Sequence, residues 1–419
     1  MDTIVIRGGN VLEGEVVVSG SKNAALPLLF ATLLTPERNV IRNVPVLADV
    51  KTAIGVLRHL GVKVAQSPDG HELVIEARDI TNTEAPYDLV RTMRASFLTL
   101  GPLLARFGRA RVSTPGGCAI GARPVDLHLT GLEKMGATIR IADGYVEAEA
   151  TKLTGARIAL DFPSVGATQQ LMMAAALADG TTILENAARE PENVCLGRAL
   201  ERMGAAVEGL GTSTVVVHGR PELTGAVHDV IPDRIEAGTY MVAAAITSGN
   251  VRVTGARADH LDAFIAKLRE AKVIVQESES GLLVQANGHL GAVDVRTMPY
   301  PGFPTDLQAQ FMALMTRASG ASTFCETIFE NRFMHAAELT RMGACLRVQG
   351  NSVQVRGPSL LSGAQVMATD LRASVSLLLA GLAAKGTTWV SRVYHLDRGY
   401  EHVEQKLSAI GADVAREAA

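Results

Sequence analysis

The chain has 419 residues, 47% of them hydrophobic, with 40 Lys and Arg against 43 Asp and Glu for a formal net charge of −3. That length accommodates two to four domains of about 100–200 residues, and the near-neutral balance argues against a dedicated nucleic-acid binder, which carries a basic excess. Forty glycines and only 4% aromatic residues suit a turn-rich α/β protein, no apolar run approaches the roughly 18–20 residues of a membrane span, and the widely separated Cys118, Cys195, Cys325 and Cys345 form neither a zinc ribbon nor a disulfide framework.

The N-terminus, MDTIVIRGGNVLEGEVVVSG, alternates like a strand pair and lacks the basic n-region of a signal peptide. A soluble protein of a reducing, cytoplasmic compartment is expected. Six segments that are apolar nearly all round follow in chain order: AALPLLFATLL, RTMRASFLTLGPLLARF, ATQQLMMAAALA, AGTYMVAAAIT, DLQAQFMALMT and LRASVSLLLAGLAA. Each reads as a buried helix. A turn and a short strand come next, as in DGTTILENA from Asp179, SGNVRVTGA from Ser248 and KGTTWVSRV from Lys385.

An amphipathic helix then closes on a recurring phrase: LRHLGV from Leu57, LEKMGA from Leu132, LERMGA from Leu200, LTRMGA from Leu339 and LSAIGA from Leu407, with a degraded copy, LREAKV, from Leu268. The glycine near each helix end is a C-cap signal. Spaced roughly 68–75 residues apart, these phrases mark six repeats of helix, strand, helix and hairpin. Six repeats divide into two groups of three. We expect domain 1 over 22–231 and domain 2 over 1–21 and 232–419. The opening strand pair is expected to complete the last repeat's sheet. Cys195, Cys325 and Cys345 lie in periodic segments and are expected in the core.

Charges break the apolar pattern at the helix starts. Lys22, Arg94, Arg234, Asp306 and Arg372 open buried helices, and Arg123, Arg332 and Arg398 sit at or just before the second helices. A cation at a helix N-terminus opposes the helix dipole, so something else must compensate it. Helix N-termini also offer N–H groups to anions. If equivalent ends face one another across two domains, they form a cleft for a small, multiply charged anion. The plain alternative is that each charge is solvated or paired with a nearby acid.

The segment TPGGCAIGARPVD, from Thr114 to Asp126, is the longest strand-to-helix connection and is Gly-rich. Its Cys118, near Arg123, fits a nucleophile or acid of lowered pKa, or else a small buried hydrophobe. Asp306, in YPGFPTDLQAQF, fits a dipole-satisfying carboxylate or a general base. Ser164 and Gly166, in DFPSVGAT, fit an N-cap and turn, or a loop offering N–H groups to a phosphate. The ten histidines do not cluster at ligand spacing, so no metal site is expected.

The stretches SGSKNAALP (19–27), YDLVRTMRAS (87–96), PGGCAIGARPVDLH (115–128), ENAAREPE (185–192), FPTDLQAQF (303–311), FENRFMH (329–335), MATDLRAS (367–374) and YHLDRGYE (394–401) closely resemble the enolpyruvyl transferases, in the branch that uses UDP-N-acetylglucosamine. The resemblance spans essentially the whole chain. It implies an EPSP synthase-like fold: an α/β, two-domain inside-out barrel of six βαβαββ repeats, three per domain. It also implies transfer of the enolpyruvyl group of phosphoenolpyruvate to the 3′-hydroxyl of UDP-N-acetylglucosamine, with release of phosphate. The route is addition then elimination through a tetrahedral ketal, without metal or organic cofactor, at the entry to peptidoglycan precursor synthesis.

By the same resemblance Cys118 is the proton donor to C3, the site of a covalent adduct and the target of fosfomycin, and Asp306 is the general base. Lys22, Arg123 and Arg398 surround the phosphate and Arg332 and Arg372 the carboxylate, with Asn23 beside them. Arg94, Arg123, Pro124, Val125, Asp126, Leu127, Ser164, Val165, Gly166, Asp306 and Ile328 match the sugar-nucleotide contacts, and Glu190 and Asp370 support the site. The match departs at Phe162, where other members carry a Lys near the nucleotide. No nucleic acid, membrane or obligate protein partner is implied. The competing expectations are a 3-phosphoshikimate 1-carboxyvinyltransferase-type enzyme, which shares fold and cations, and a non-catalytic sugar-nucleotide-binding paralogue.

Overall fold

The computed structural model describes residues 2–91, 93–114 and 125–418. The described chain forms two compact units, one drawn from residues between 20 and 231 and the other from 2–19 and 232–418. Both units are built from four-stranded sheets, three apiece.

In the first unit the sheets run Val227–Asp229, Arg38–Arg42, Leu73–Glu76, Lys63–Gln66; then Glu84–Ala85, Arg109–Ser113, Tyr145–Glu149, Thr138–Ala142; then Arg157–Ala159, Thr181–Glu185, Thr214–His218, Ala206–Glu208. In the second they run Glu13–Val17, Asn250–Thr254, Gly281–Gln285, Ile274–Ser278; then Val295–Arg296, Gly320–Cys325, Ser352–Gly357, Cys345–Gln349; then Gln365–Met367, Thr387–Ser391, Thr3–Arg7, Asp413–Glu417. The first two strands of every sheet are parallel and the remaining pairs antiparallel. In four of the sheets the parallel strands are joined by one apolar helical segment as the crossover, whereas Val227–Asp229 with Arg38–Arg42 and Glu13–Val17 with Asn250–Thr254 pair strands far apart in the chain. In the second unit the helices Arg234–Ile246, Gln308–Met315 and Val375–Ala383 pack on one another at the centre of a single apolar core. Among the described residues no helix is long and apolar enough to cross a membrane.

The recurring phrase has a local cause. Its glycines, Gly61, Gly136, Gly204, Gly343 and Gly411, take φ of 98°, 94°, 101°, 95° and 98°. The amide three residues past each helix end then returns to the leucine that opens the phrase. Val62 N donates to Leu57 O at 2.9 Å, Ala137 N to Leu132 O at 3.1 Å, Ala205 N to Leu200 O at 2.9 Å, Ala344 N to Leu339 O at 3.0 Å and Ala412 N to Leu407 O at 3.1 Å. This is the Schellman closure, in which an apolar residue past the glycine packs back on the helix. The degraded copy keeps the geometry: Lys272 takes φ 69° and Val273 N donates to Leu268 O at 2.9 Å.

Two expectations need correction. The opening strands do not both complete the last sheet: Thr3–Arg7 does, but Glu13–Val17 pairs in parallel with Asn250–Thr254, which needs a lead strand. Nor are all three cysteines core. Cys195 is buried and Cys325 half-buried, but Cys345 is exposed because its strand is the edge of its sheet.

Candidate active site

In the second unit Asp306 stands at the head of the helix Gln308–Met315, in the turn Thr305–Leu307 that Pro304 opens. Arg332 Nη2 donates to Asp306 Oδ1 at 2.7 Å and Nη1 donates to Thr305 Oγ1 at 3.1 Å. Arg372 Nε lies 3.8 Å from the other carboxylate oxygen. Both guanidiniums are deeply buried, Arg332 at 4% and Arg372 at 1% exposure. Burying a cation is expensive unless it is paired and hydrogen-bonded.

Asp233 carries much of that compensation. Its Oδ1 caps the helix Arg234–Ile246 by accepting from Ile235 N at 2.8 Å and Glu236 N at 3.1 Å, while Oδ2 accepts from Arg372 Nη2 at 2.8 Å. Gly399 O accepts from Arg372 Nη1 at 2.7 Å, and the guanidinium lies 5.2 Å from the Tyr400 ring centroid. Burial works against the charge of Arg372, but Asp233, Tyr400 and Asp306 outweigh it and raise its pKa. For Arg332 burial is likewise outweighed, by Asp306, Asp370 and Glu326. Asp370 Oδ1 accepts from Arg372 N and Ala373 N, each at 2.7 Å, which fixes the turn ahead of the helix Val375–Ala383. The Tyr400 hydroxyl is shared with Thr239 Oγ1 at 3.0 Å and Gln310 Nε2 at 3.2 Å, and that same nitrogen donates to Asp306 O at 2.8 Å.

Arg398 is half-buried at the end of the turn Val393–Arg398, directly before Gly399. His335 is fully buried, and its pKa falls to about 4 because burial and Arg332 oppose the cation more than Asp370 favours it. Ile328 is half-buried, with its amide held by Glu326 Oε1 at 2.8 Å.

In the first unit Lys22 and Asn23 are the first residues of the helix Lys22–Ala31, which Ser21 caps. Lys22 is 7% exposed, and its Nζ lies 3.4 Å from Oδ2 of the equally buried Asp49. Arg94 opens the turn Arg94–Thr99, which packs against both the helix Lys22–Ala31 and the helix Val165–Ala175. Ser164 Oγ caps the latter by accepting from Ala167 N at 3.3 Å; Val165 and Gly166 begin it, and all three are half-buried. Gly166 approaches His128 so closely that a Cβ there would lie 3.1 Å from the ring. His128 packs edge-on to Phe97 at 5.4 Å, and burial, then Arg94, lower its pKa to about 3. Val125, Asp126 and Leu127 lead into His128 at the start of the helix Asp126–Lys134. Glu190 is buried just ahead of the helix Pro191–Arg202, and Phe162 is exposed.

Cys118, Arg123 and Pro124 lie outside the described residues. Of the remaining expected residues, Asp306, Arg332, Arg372 and Asp370 form one connected cluster in the second unit. Sequence reasoning missed Asp49, Asp233, Thr305, Glu326 and Tyr400. Asp233 carried a local signal, an acidic residue at a helix N-cap, and Thr305 and Tyr400 lie inside stretches that carry the family resemblance. Chemically, two buried guanidiniums around one carboxylate combine an anion site with a proton acceptor.

A family model described as EPSP synthase (3-phosphoshikimate 1-carboxyvinyltransferase) matches residues 6–407. The chain is 58% identical over 416 residues to a UDP-N-acetylglucosamine 1-carboxyvinyltransferase from Geobacter metallireducens, covering 99% of each chain. It is 58% identical over 417 residues to the enzyme of that name from Granulibacter bethesdensis, again covering 99% of each. Among solved structures, the enolpyruvyl transferase NikO from Streptomyces tendae superposes with a TM-score of 0.91 at 28% identity, over 100% of this chain and 99% of that one. An EPSP synthase from Acinetobacter baumannii shares the fold at a TM-score of 0.78 and 18% identity, over 100% of both chains.

Proposed function

The chain belongs to the EPSP synthase family of enolpyruvyl transferases, and from that premise we propose that it transfers the enolpyruvyl group of phosphoenolpyruvate to the 3′-hydroxyl of UDP-N-acetylglucosamine, releasing phosphate. The acceptor follows from the full-length relatives that carry the sugar-nucleotide name at 55–58% identity. The observation that carries the chemistry is the Asp306 carboxylate held by Arg332 with Arg372 alongside.

The reaction needs a proton at C3 of phosphoenolpyruvate as the sugar oxygen adds to C2. The resulting ketal then loses a proton from C3 as its C2–O bond to phosphate breaks. In this reading Asp306 takes the sugar proton and Cys118 supplies the one for C3. Arg332 and Arg372 hold the carboxylate, while Lys22, Arg123 and Arg398 meet the phosphate with Asn23 beside them. Fixed cations stabilise charge that develops in the tetrahedral state without reorganising. Arg94, Arg123 to Leu127, Ser164 to Gly166 and Ile328 take the sugar nucleotide, and Glu190 and Asp370 support the site. The enzyme would work in the cytoplasm at the start of peptidoglycan synthesis, with Cys118 open to fosfomycin. Phosphate release from phosphoenolpyruvate that depends on UDP-N-acetylglucosamine tests the reading directly.

A further inference from the structure

Glu326 follows the strand Gly320–Cys325 and is 2% exposed. A carboxylate so buried must be met by donors. Its Oε1 accepts from Thr297 Oγ1 at 2.8 Å, from Ile328 N at 2.8 Å and from Phe329 N at 3.3 Å; its Oε2 accepts from Thr305 Oγ1 at 2.8 Å. One carboxylate therefore ties the loop after its own strand to the turn that carries Asp306.

The Thr305 hydroxyl stands between two groups of opposite kind. An ionised carboxylate only accepts, and a guanidinium only donates. The hydroxyl has a single proton, which goes to Glu326, so its lone pair faces Arg332 Nη1 at 3.1 Å. Phe329, whose amide Glu326 also holds, places its ring centroid 5.1 Å from the same guanidinium.

We propose that Glu326 is a positioning residue for phosphoenolpyruvate: acting through Thr305, it fixes the guanidinium of Arg332 that receives the substrate. The inference rests on the role given to Arg332 under the proposed function. A hydrogen bond to a charged group is worth enough that losing this one raises the KM for phosphoenolpyruvate roughly tenfold or more. The KM for UDP-N-acetylglucosamine should move far less in the Thr305 variants, because the Ile328 amide is held by Glu326 Oε1 and Thr305 binds the other oxygen, Oε2.

The experiment is a steady-state comparison of wild type, Thr305→Val, Thr305→Ser, Glu326→Gln and the double variant Glu326→Gln/Thr305→Val, with both substrates varied and thermal melts recorded alongside. Thr305→Val should raise the KM for phosphoenolpyruvate, and Thr305→Ser, which keeps the hydroxyl, should restore it. The two substitutions should be less than additive on that KM, since each breaks the same relay. An active wild type with an unchanged KM in Thr305→Val, no rescue by Ser, or additive losses overturns the relay alone. A wild type that releases no phosphate overturns the proposed function and the relay together. Should Glu326→Gln fail to fold, the split between Val and Ser at Thr305 still decides.

Discussion

The Asp306 carboxylate and the Arg332 guanidinium share a hydrogen bond of 2.7 Å. The group proposed to take the sugar proton is thus held by a group proposed to bind the other substrate's carboxylate. Asp306→Ala should lower turnover roughly 10²–10⁴-fold, the usual worth of a general base. Affinity for the sugar nucleotide should change far less. A fall in turnover under about tenfold would place the base elsewhere.

Asp233 joins a helix cap to a buried ion pair. Asp233→Ala removes both, and breaking a buried pair by deleting one partner costs roughly 3–5 kcal/mol. Asp233→Asn keeps an oxygen for the cap amides and should cost less. Urea denaturation of the two variants orders them; equal stability to the wild type would show that Arg372 finds its compensation elsewhere.

Lys272 occupies the left-handed position that five other repeats give to glycine, with φ 69°. A residue with a Cβ pays about 1 kcal/mol or more for that conformation. Lys272→Gly should recover part of it, offset by the greater freedom glycine has when unfolded. A rise of roughly 0.5–1 kcal/mol in the free energy of unfolding is expected, and a loss of stability would mean that the lysine side chain matters more than the backbone.

Buried histidines set an acid limit. His335 and His128 titrate at about 4 and about 3 against an ordinary 6.5, in each case chiefly because burial disfavours the cation. The unfolded chain takes up these protons first as pH falls. The stability they contribute is therefore complete above about pH 6.5 and lost on the way down to the folded values, at up to about 1.4 kcal/mol per pH unit for each group. Unfolding free energies followed from neutral pH downwards should decline less steeply in His335→Phe. An unchanged slope would mean that His335 is charged in the native state.

The four cysteines should separate by reactivity. Burial pushes the Cys195 thiol up to about 11, leaving little thiolate to react. We expect fosfomycin to leave one adduct, on Cys118 and not on Cys195, Cys325 or Cys345, formed faster when UDP-N-acetylglucosamine is present. Cys118→Asp should stay active and resist the drug, because a carboxylic acid donates a proton but is a poor nucleophile towards an epoxide. Peptide mass mapping with the adduct elsewhere, or full turnover by Cys118→Ala, would contradict the assignment.

The repeats were legible because a Schellman closure demands a glycine and two apolar residues at fixed spacing, and Leu57, Gly61 and Val62 write that demand into the chain. The cations stood out because Lys22 and Arg94 interrupt apolar helices at their first turn. Their compensation was not legible. Asp49 lies 27 residues from Lys22, and Asp233 lies 139 from Arg372. Only the folded backbone brings such partners together, and no local pattern encodes the pairing. Glu326 was hidden for the same reason: at the end of a strand it reads as a solvated acid, until Thr305, Thr297 and two amides are seen to converge on it.

The most direct measurement is a phosphate-release assay with phosphoenolpyruvate and each of two acceptors offered separately. The account predicts release with UDP-N-acetylglucosamine and none above background with shikimate 3-phosphate. Release with shikimate 3-phosphate alone, or with neither acceptor, would contradict it.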